Sequence, residues 1–179
     1  MCFVYRAIIY LNTIPARLKG MTIGRGSALG PGYDFLFVKL NKITLKDNVL
    51  IGRNAWIESI TNDATIIIGN NSNIGRFVTI SCASYITIGK NCLISFNVTI
   101  LDHDHNFNDL DIFTSGITKG AQIVIDDGCF IGAHSFILKG VHLGKNCVVG
   151  ANSVVTKSFP ENSIIAGNPA EFIKHREFK

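Results

Sequence analysis

Three ten-residue stretches decide the architecture: Ile86-Thr87-Ile88-Gly89-Lys90-Asn91-Cys92-Leu93-Ile94-Ser95, Ile123-Val124-Ile125-Asp126-Asp127-Gly128-Cys129-Phe130-Ile131-Gly132 and Val141-His142-Leu143-Gly144-Lys145-Asn146-Cys147-Val148-Val149-Gly150. They are one pattern written three times. Earlier copies run from Met21-Thr22-Ile23-Gly24 to Leu29-Gly30, from Ile43-Thr44-Leu45-Lys46 to Ile51-Gly52, and from Ile66-Ile67-Ile68-Gly69 to Ile74-Gly75, which makes six. Within a copy an aliphatic residue returns every sixth position, as in Leu45, Ile51, Ile57, in Ile88, Ile94, Ile100 and in Ile125, Ile131, Ile137.

A helix spaces its apolar residues three and four apart, and a half-buried strand alternates along its whole length, so neither accounts for a period of six. A short straight segment followed by a corner does. The aliphatic residue and the small residue four later (Ser72, Val78, Cys92, Val98, Cys129, Ser135, Cys147, Ser153) then both point inward. Gly or Asn near each corner supplies the backbone angles a tight turn requires. Three segments close a triangle, eighteen residues make one coil, and stacked coils bury their aliphatic columns against the copies above and below.

The period breaks in three places. From Ile57 to Ile68 the step is eleven and from Ile80 to Ile88 it is eight, which reads as minor bulges at corners. From Ile100 to Ile125 it is twenty-five, leaving a loop over 101–122 without a repeat of its own. A loop that long inside a regular scaffold is usually functional. It carries Asp102, His103, Asp104, His105, Asp109 and Asp111.

Composition sets the outer bounds. The chain has 179 residues, 47% hydrophobic and 17% charged, enough for one domain with a core. The net charge of +4 is spread without a basic run, so no nucleic-acid partner is expected, and steering of an anionic small molecule is. Five cysteines, with no Cys-x-x-Cys pair, argue against disulfides or a zinc knuckle and suit a cytoplasmic setting. Cys92, Cys129 and Cys147 share one repeat position and read as small buried side chains. Near the N-terminus Phe3, Ala7, Tyr10 or Leu11, Ile14 and Leu18 recur at helical spacing. They predict a short amphipathic helix packed on its own domain or a sister subunit, too short to span a membrane, with peripheral membrane contact as the lesser alternative. The chain thus divides into an N-terminal helical segment over 1–20, the repeat over 21–165 and a C-terminal cap over 166–179, with Glu171 to Lys179 expected as a short helix.

Units such as Ile131-Gly132-Ala133-His134-Ser135-Phe136 resemble those of the hexapeptide-repeat acyltransferases, and the resemblance covers Ile43 to Lys174. The run Val154-Val155-Thr156-Lys157, followed by Gly167-Asn168-Pro169-Ala170, resembles the C-terminal signature of that family's maltose, galactoside and polysaccharide O-acetyltransferase branch. The resemblance implies an all-β fold, a left-handed parallel β-helix. It also implies a homotrimer with active sites between subunits, acetyl-CoA as acyl donor without a metal, and a saccharide hydroxyl as acceptor. Surface polysaccharide biosynthesis is the implied setting.

A hydroxyl attacking a thioester needs a base, and neutral histidine fits. In the branch named above the base lies eight residues after the Asn of an Asn-Val-x-Ile segment. Here that segment is Asn97-Val98-Thr99-Ile100 and the count reaches His105, with His103 as the competitor. Asp102 and Asp104 flank them, as orienting carboxylates or as substrate contacts. The resemblance assigns the oxyanion to the amide of Ala133, the pantetheine arm to Phe130, Ala133 and Ala151, and the nucleotide end to Thr156, Lys157 and Lys174. Phe130 stands where the family often has Trp, and Ser81 where the sugar-acetylating members have Asn. His134 and His142 face outward by the repeat.

Other classes remain beside this one. N-acetylation of an amino-sugar nucleotide is the alternative within the family, and serine acetylation lacks its helical domain. A zinc hydratase of the same helical fold would need His103, His105 and His134 as ligands, which their spacing disfavours. A non-catalytic trimeric scaffold is the third.

Overall fold

The six-residue segments pair with their own copies one coil away, in register and parallel. In the computed structural model, which describes residues 11–33, 40–106, 116 and 120–178, they build three flat sheets. The first wall comprises Thr22–Ile23, Ile43–Leu45, Thr65–Ile68, Tyr85–Ile88, Ile123–Ile125 and His142–Leu143. The second runs from Ala28–Leu29 through Leu50–Ile51, Asn73–Ile74, Leu93–Ile94, Phe130–Ile131 and Val148–Val149 to Ser163–Gly167. The third holds Trp56–Ser59, Thr79–Cys82, Thr99–Leu101, Phe136–Ile137 and Val154–Val155. The result is the parallel β-helix that the period implies.

Each wall places one aliphatic residue per coil on the axis. Leu45, Ile68, Ile88, Ile125 and Leu143 line the first wall, Ile51, Ile74, Ile94, Ile131 and Val149 the second, Ile57, Ile80, Ile100, Ile137 and Val155 the third, all buried. Burying each such side chain contributes roughly 1.5–3 kcal/mol. The column does not slip at the long loop, since Ile88 pairs with Ile125, Ile94 with Ile131 and Ile100 with Ile137. The loop is therefore an excursion from an unbroken scaffold.

Corners follow the Asn positions. Asn48, Asn71, Asn91 and Asn146 take φ of 56–59°, a left-handed conformation that asparagine tolerates better than other side chains. Their amides also form a ladder, with Asn48 Nδ2 donating to Asn71 Oδ1 at 3.2 Å and Asn71 Nδ2 to Asn91 Oδ1 at 3.3 Å. Small inward residues tie adjacent coils through the backbone. Ser72 Oγ donates to Gly89 O at 2.7 Å, Cys92 Sγ to Asp126 O at 3.2 Å and Cys129 Sγ to Gly144 O at 3.2 Å.

The C-terminus differs from the expectation, and the N-terminal helix is described only in part. At the N-terminus the described helix is Thr13–Leu18, and its buried residues are Thr13 and Ala16. Leu11, Ile14 and Leu18 of the expected apolar face are exposed, while Phe3, Ala7 and Tyr10 lie outside the described residues. The described helix caps the first coil, where Asn12 Nδ2 donates to Leu29 O. At the C-terminus the expected helix over Glu171 to Lys179 is replaced by a strand, Ala170–His175, antiparallel to Ser163–Gly167. The last second-wall strand leaves a row of unpaired backbone groups, and folding the tail back covers that edge.

Candidate active site

The loop leaves the corner between the third and first walls, where extra residues accumulate in three successive coils, over 60–64, 82–85 and 101–122. The eight-residue step is more than a bulge. Its turn leaves the amides of Ala83, Ser84 and Tyr85 without a backbone acceptor, and one carboxylate receives all three. Asp102, fully buried, accepts Ala83 N at 2.7 Å on Oδ1, and Ser84 N at 2.8 Å and Tyr85 N at 3.0 Å on Oδ2. Cys82 Sγ adds a bond to Oδ2 at 3.2 Å. The return leg closes the root with Ala121 N donating to Asp102 O at 2.8 Å. Gly120 passes so near Ser84 that an added Cβ would stand 2.8 Å from the serine Cβ. Asp102 is thus a bolt between the loop and the coil below, a use that leaves it no surface for substrate.

His103 and His105 follow on the outgoing leg of the loop, past the strand Thr99–Leu101. The His103 Nδ1 lies 3.1 Å from Asp102 Oδ1, and its side chain is 10% exposed. A carboxylate on Nδ1 holds that proton in place and leaves Nε2 as the basic nitrogen. His105 is exposed, and Asp104 between them pairs with Lys139 of the next coil. Residues 107–115, with Asp109 and Asp111, lie outside the described residues.

Below the root, the third wall carries a polar column on its outer face. Ser81 stands in register with Leu101 above and Glu58 below. Its hydroxyl is buried and donates to Glu58 Oε1 at 2.7 Å. Ser81 is therefore already engaged by a carboxylate that the sequence reading passed over. Trp56-Ile57-Glu58-Ser59 repeats the alternation of Thr79-Ile80-Ser81-Cys82 one coil earlier.

Ala133 occupies the corner between the second and third walls. Gly132 N donates to Val149 O and His134 N to Phe96 O, whereas among the described residues the Ala133 amide has no acceptor. His134 takes φ of 59° and packs its ring edge-on against Phe96, centroids 5.2 Å apart. Ala151 sits exposed at the same corner one coil above. Phe130 is half-exposed on the adjoining wall, in register with Leu93 and Val148. Farther up, Thr156 is exposed, Lys157 Nζ holds Glu171 at 2.7 Å, and Lys174 is exposed on the last strand. The site residues therefore fall on two edges and one wall: the loop root lies at the third-to-first corner with Thr156 and Lys157 above it on the same edge, Ala133 and Ala151 lie at the second-to-third corner, and Phe130 and Lys174 belong to the second wall's sheet.

His103, His105 and His134 do not converge, and no three metal-ligating side chains do so among the described residues. His134 and His142 face outward, and His142 Nε2 lies 3.0 Å from Asp126 Oδ2. The cysteines Cys82, Cys92, Cys129 and Cys147 are free and buried. Burial, with the Asp102 carboxylate second, pushes the Cys82 thiol up to about 12. Hydrogen bonding to Cys147 and Cys92, together with burial, also pushes Cys129 up. At pH 8 the thiolate fraction of Cys82 is then about 10⁻⁴. Iodoacetamide is expected to leave Cys82 unmodified in the native chain and to label it after denaturation, as read by peptide mass spectrometry. Native labelling at the rate of a free thiol would contradict the burial of this corner.

The family described as the hexapeptide repeat of succinyl-transferase matches residues 122–157. A putative lipopolysaccharide biosynthesis O-acetyl transferase, WbbJ of Escherichia coli K12, is 36% identical over 117 residues, 61% of this chain and 60% of the relative. The putative colanic acid biosynthesis acetyltransferase WcaF of the same strain is 31% identical over 160 residues, 89% of this chain and 72% of the relative. Among solved structures, a galactoside acetyltransferase in complex with coenzyme A is 30% identical with a TM-score of 0.63, covering 74% of this chain and 64% of that one. The chain spans about 60% of the length of the first of these relatives. Among the described residues no helix is long and apolar enough to cross a membrane.

Proposed function

This chain belongs to the hexapeptide-repeat acyltransferase family, and we propose that it moves the acetyl group of acetyl-CoA onto a hydroxyl of a saccharide. The observation that carries the proposal is the bolted loop root, which presents two histidines at the single long interruption of an otherwise continuous scaffold. Relatives named for lipopolysaccharide and colanic acid biosynthesis support an acceptor within a surface polysaccharide or its precursor. A galactoside acetyltransferase holding coenzyme A supports the donor. A cytoplasmic setting, where acetyl-CoA is made, goes with it.

In the proposed reaction His105 accepts the acceptor's hydroxyl proton as that oxygen attacks the thioester carbon. The C–S bond then breaks and the proton passes to the departing thiolate, leaving an O-acetyl sugar and free CoA. The negative charge on the carbonyl oxygen falls to the Ala133 amide, whose lack of an acceptor among the described residues suits that role. The small Ala133 and Ala151 let a pantetheine arm approach the backbone, with Phe130 as an apolar wall. Towards the nucleotide end Thr156, Lys157 and Lys174 meet the phosphates, with the Lys157 charge shared with Glu171. Asp104 is tied to Lys139 and serves the loop's position. A second assignment rests on one contact: the Asp102 bond to Nδ1 equips His103 as the base, and single replacements of the two histidines separate the cases.

Because the loop histidines and the Ala133 amide lie on different edges, a complete site takes the loop of one subunit and the Ala133 corner of another. The proposed assembly is a homotrimer. Leu50, Leu93 and Phe130 on the second wall, Phe136 on the third and Phe77 and Phe96 at their corner expose the apolar surface such an assembly needs. Analytical ultracentrifugation is expected to give the mass of three chains at micromolar concentration, and a single-chain mass would contradict it.

A further inference from the structure

We propose that Glu58, held by Ser81, reads the acceptor by its charge and selects neutral saccharides over anionic ones, an inference that rests on the saccharide-acceptor reading above. Ile57 and Ser59 point into the core, at 1% and 2% exposure, so strand alternation turns Glu58 to the outer face of the third wall. It lies in register below Ser81, which lies below Leu101, the last strand residue before His103. Two coil steps of about 4.8 Å each separate Glu58 from Leu101, a distance of about 10 Å that a mono- or disaccharide bridges.

The pair has a defined polarity. The buried Ser81 hydroxyl donates to Oε1 at 2.7 Å, a short charge-assisted bond that fixes the carboxylate. Among the described residues Oε2 has no hydrogen-bond partner and no cation pairs with Glu58. A half-buried, oriented carboxylate with one oxygen open accepts hydrogen bonds from sugar hydroxyls. The same charge, uncompensated, repels a uronate, a sialate or a phosphate placed against it. A tie between coils alone would need no charge, because Ser–Ser or Ser–Gln pairs bond as well.

Glu58→Gln keeps the volume and the oxygen that accepts from Ser81 while removing the charge. Acetylation is measured with neutral hexosides and N-acetylhexosamines against glucuronate, galacturonate and N-acetylneuraminate. E58Q is expected to raise KM for neutral acceptors about tenfold and to lower the neutral-to-anionic ratio of kcat/KM by about tenfold or more. KM for acetyl-CoA and the thermal midpoint should stay as in the unaltered chain. Should E58Q fail to fold, Ser81→Ala carries the test. It retains the charge but loosens it, so the preference persists while acceptor KM rises about threefold. An unchanged selectivity ratio in E58Q, or an unchanged acceptor KM in S81A if that variant stands in, overturns this inference alone. Failure of the unaltered chain to acetylate any saccharide overturns the reading beneath it as well.

Discussion

Replacing His105 with alanine is expected to lower kcat for acetyl transfer about 10²- to 10⁴-fold, with KM for acetyl-CoA little changed. The expectation follows from what an imidazole contributes. A saccharide hydroxyl is a poor nucleophile at neutral pH, and among the described loop residues His105 is the exposed basic group. His105 is exposed on the loop's outgoing leg, whereas Asp102 is buried and Asp104 is tied to Lys139. His103→Ala should cost less, because His103 is one partner of a carboxylate whose backbone amides remain in place. A reversed order, with H103A the more damaging in kcat and H105A near the unaltered chain, assigns the base to His103 and its Asp102 contact.

Asp102→Asn is expected to destabilise the fold by about 3–5 kcal/mol, a cost typical of breaking a buried, hydrogen-bonded charge. Two carboxylate oxygens accept three amides, a thiol and an imidazole. An asparagine offers one oxygen and one NH₂. Placed at Oδ2, the NH₂ would face the donors of Ser84, Tyr85 and Cys82; placed at Oδ1, it would face those of Ala83 and His103. Either way at least one buried donor loses its acceptor, at about 1–3 kcal/mol each. The shift is read from the denaturant midpoint, and transfer should fall with it because the same residue anchors the loop. A change under about 1 kcal/mol would mean the bolt is not what holds the corner.

The repeat made the fold legible because period six admits few structures. Leu45, Ile68, Ile88, Ile125 and Leu143 stand on one column as counted, and Ser72, Cys92, Cys129 and Cys147 point inward as the spacing requires. Where the period ends, so does that constraint. Glu171 to Lys179 holds polar and apolar residues that fit a helix or an edge strand equally well, and only the open edge of Ser163–Gly167 selects the strand.

At the site, the histidines stood out as the dense content of a single break, whereas Ser81 came only from the resemblance to the sugar-acetylating members. Asp102 was seen as a flanking carboxylate. Its bonds to Ala83, Ser84 and Tyr85 could not be, because the corner at Ile80 to Ile88 is adjacent in space but seventeen to nineteen residues away in sequence. Glu58 gives no such signal in the sequence, because its bond to Ser81 joins residues 23 apart and one coil away.

The most direct measurement is the release of free CoA thiol from acetyl-CoA with a panel of saccharides, using the unaltered chain and the His105→Ala, His103→Ala and doubly substituted chains. Saccharide-dependent release with an O-acetylated product, abolished when both histidines are removed, is the predicted result. Release that proceeds undiminished without either imidazole, or that ignores the saccharide altogether, would contradict base-assisted transfer from this loop.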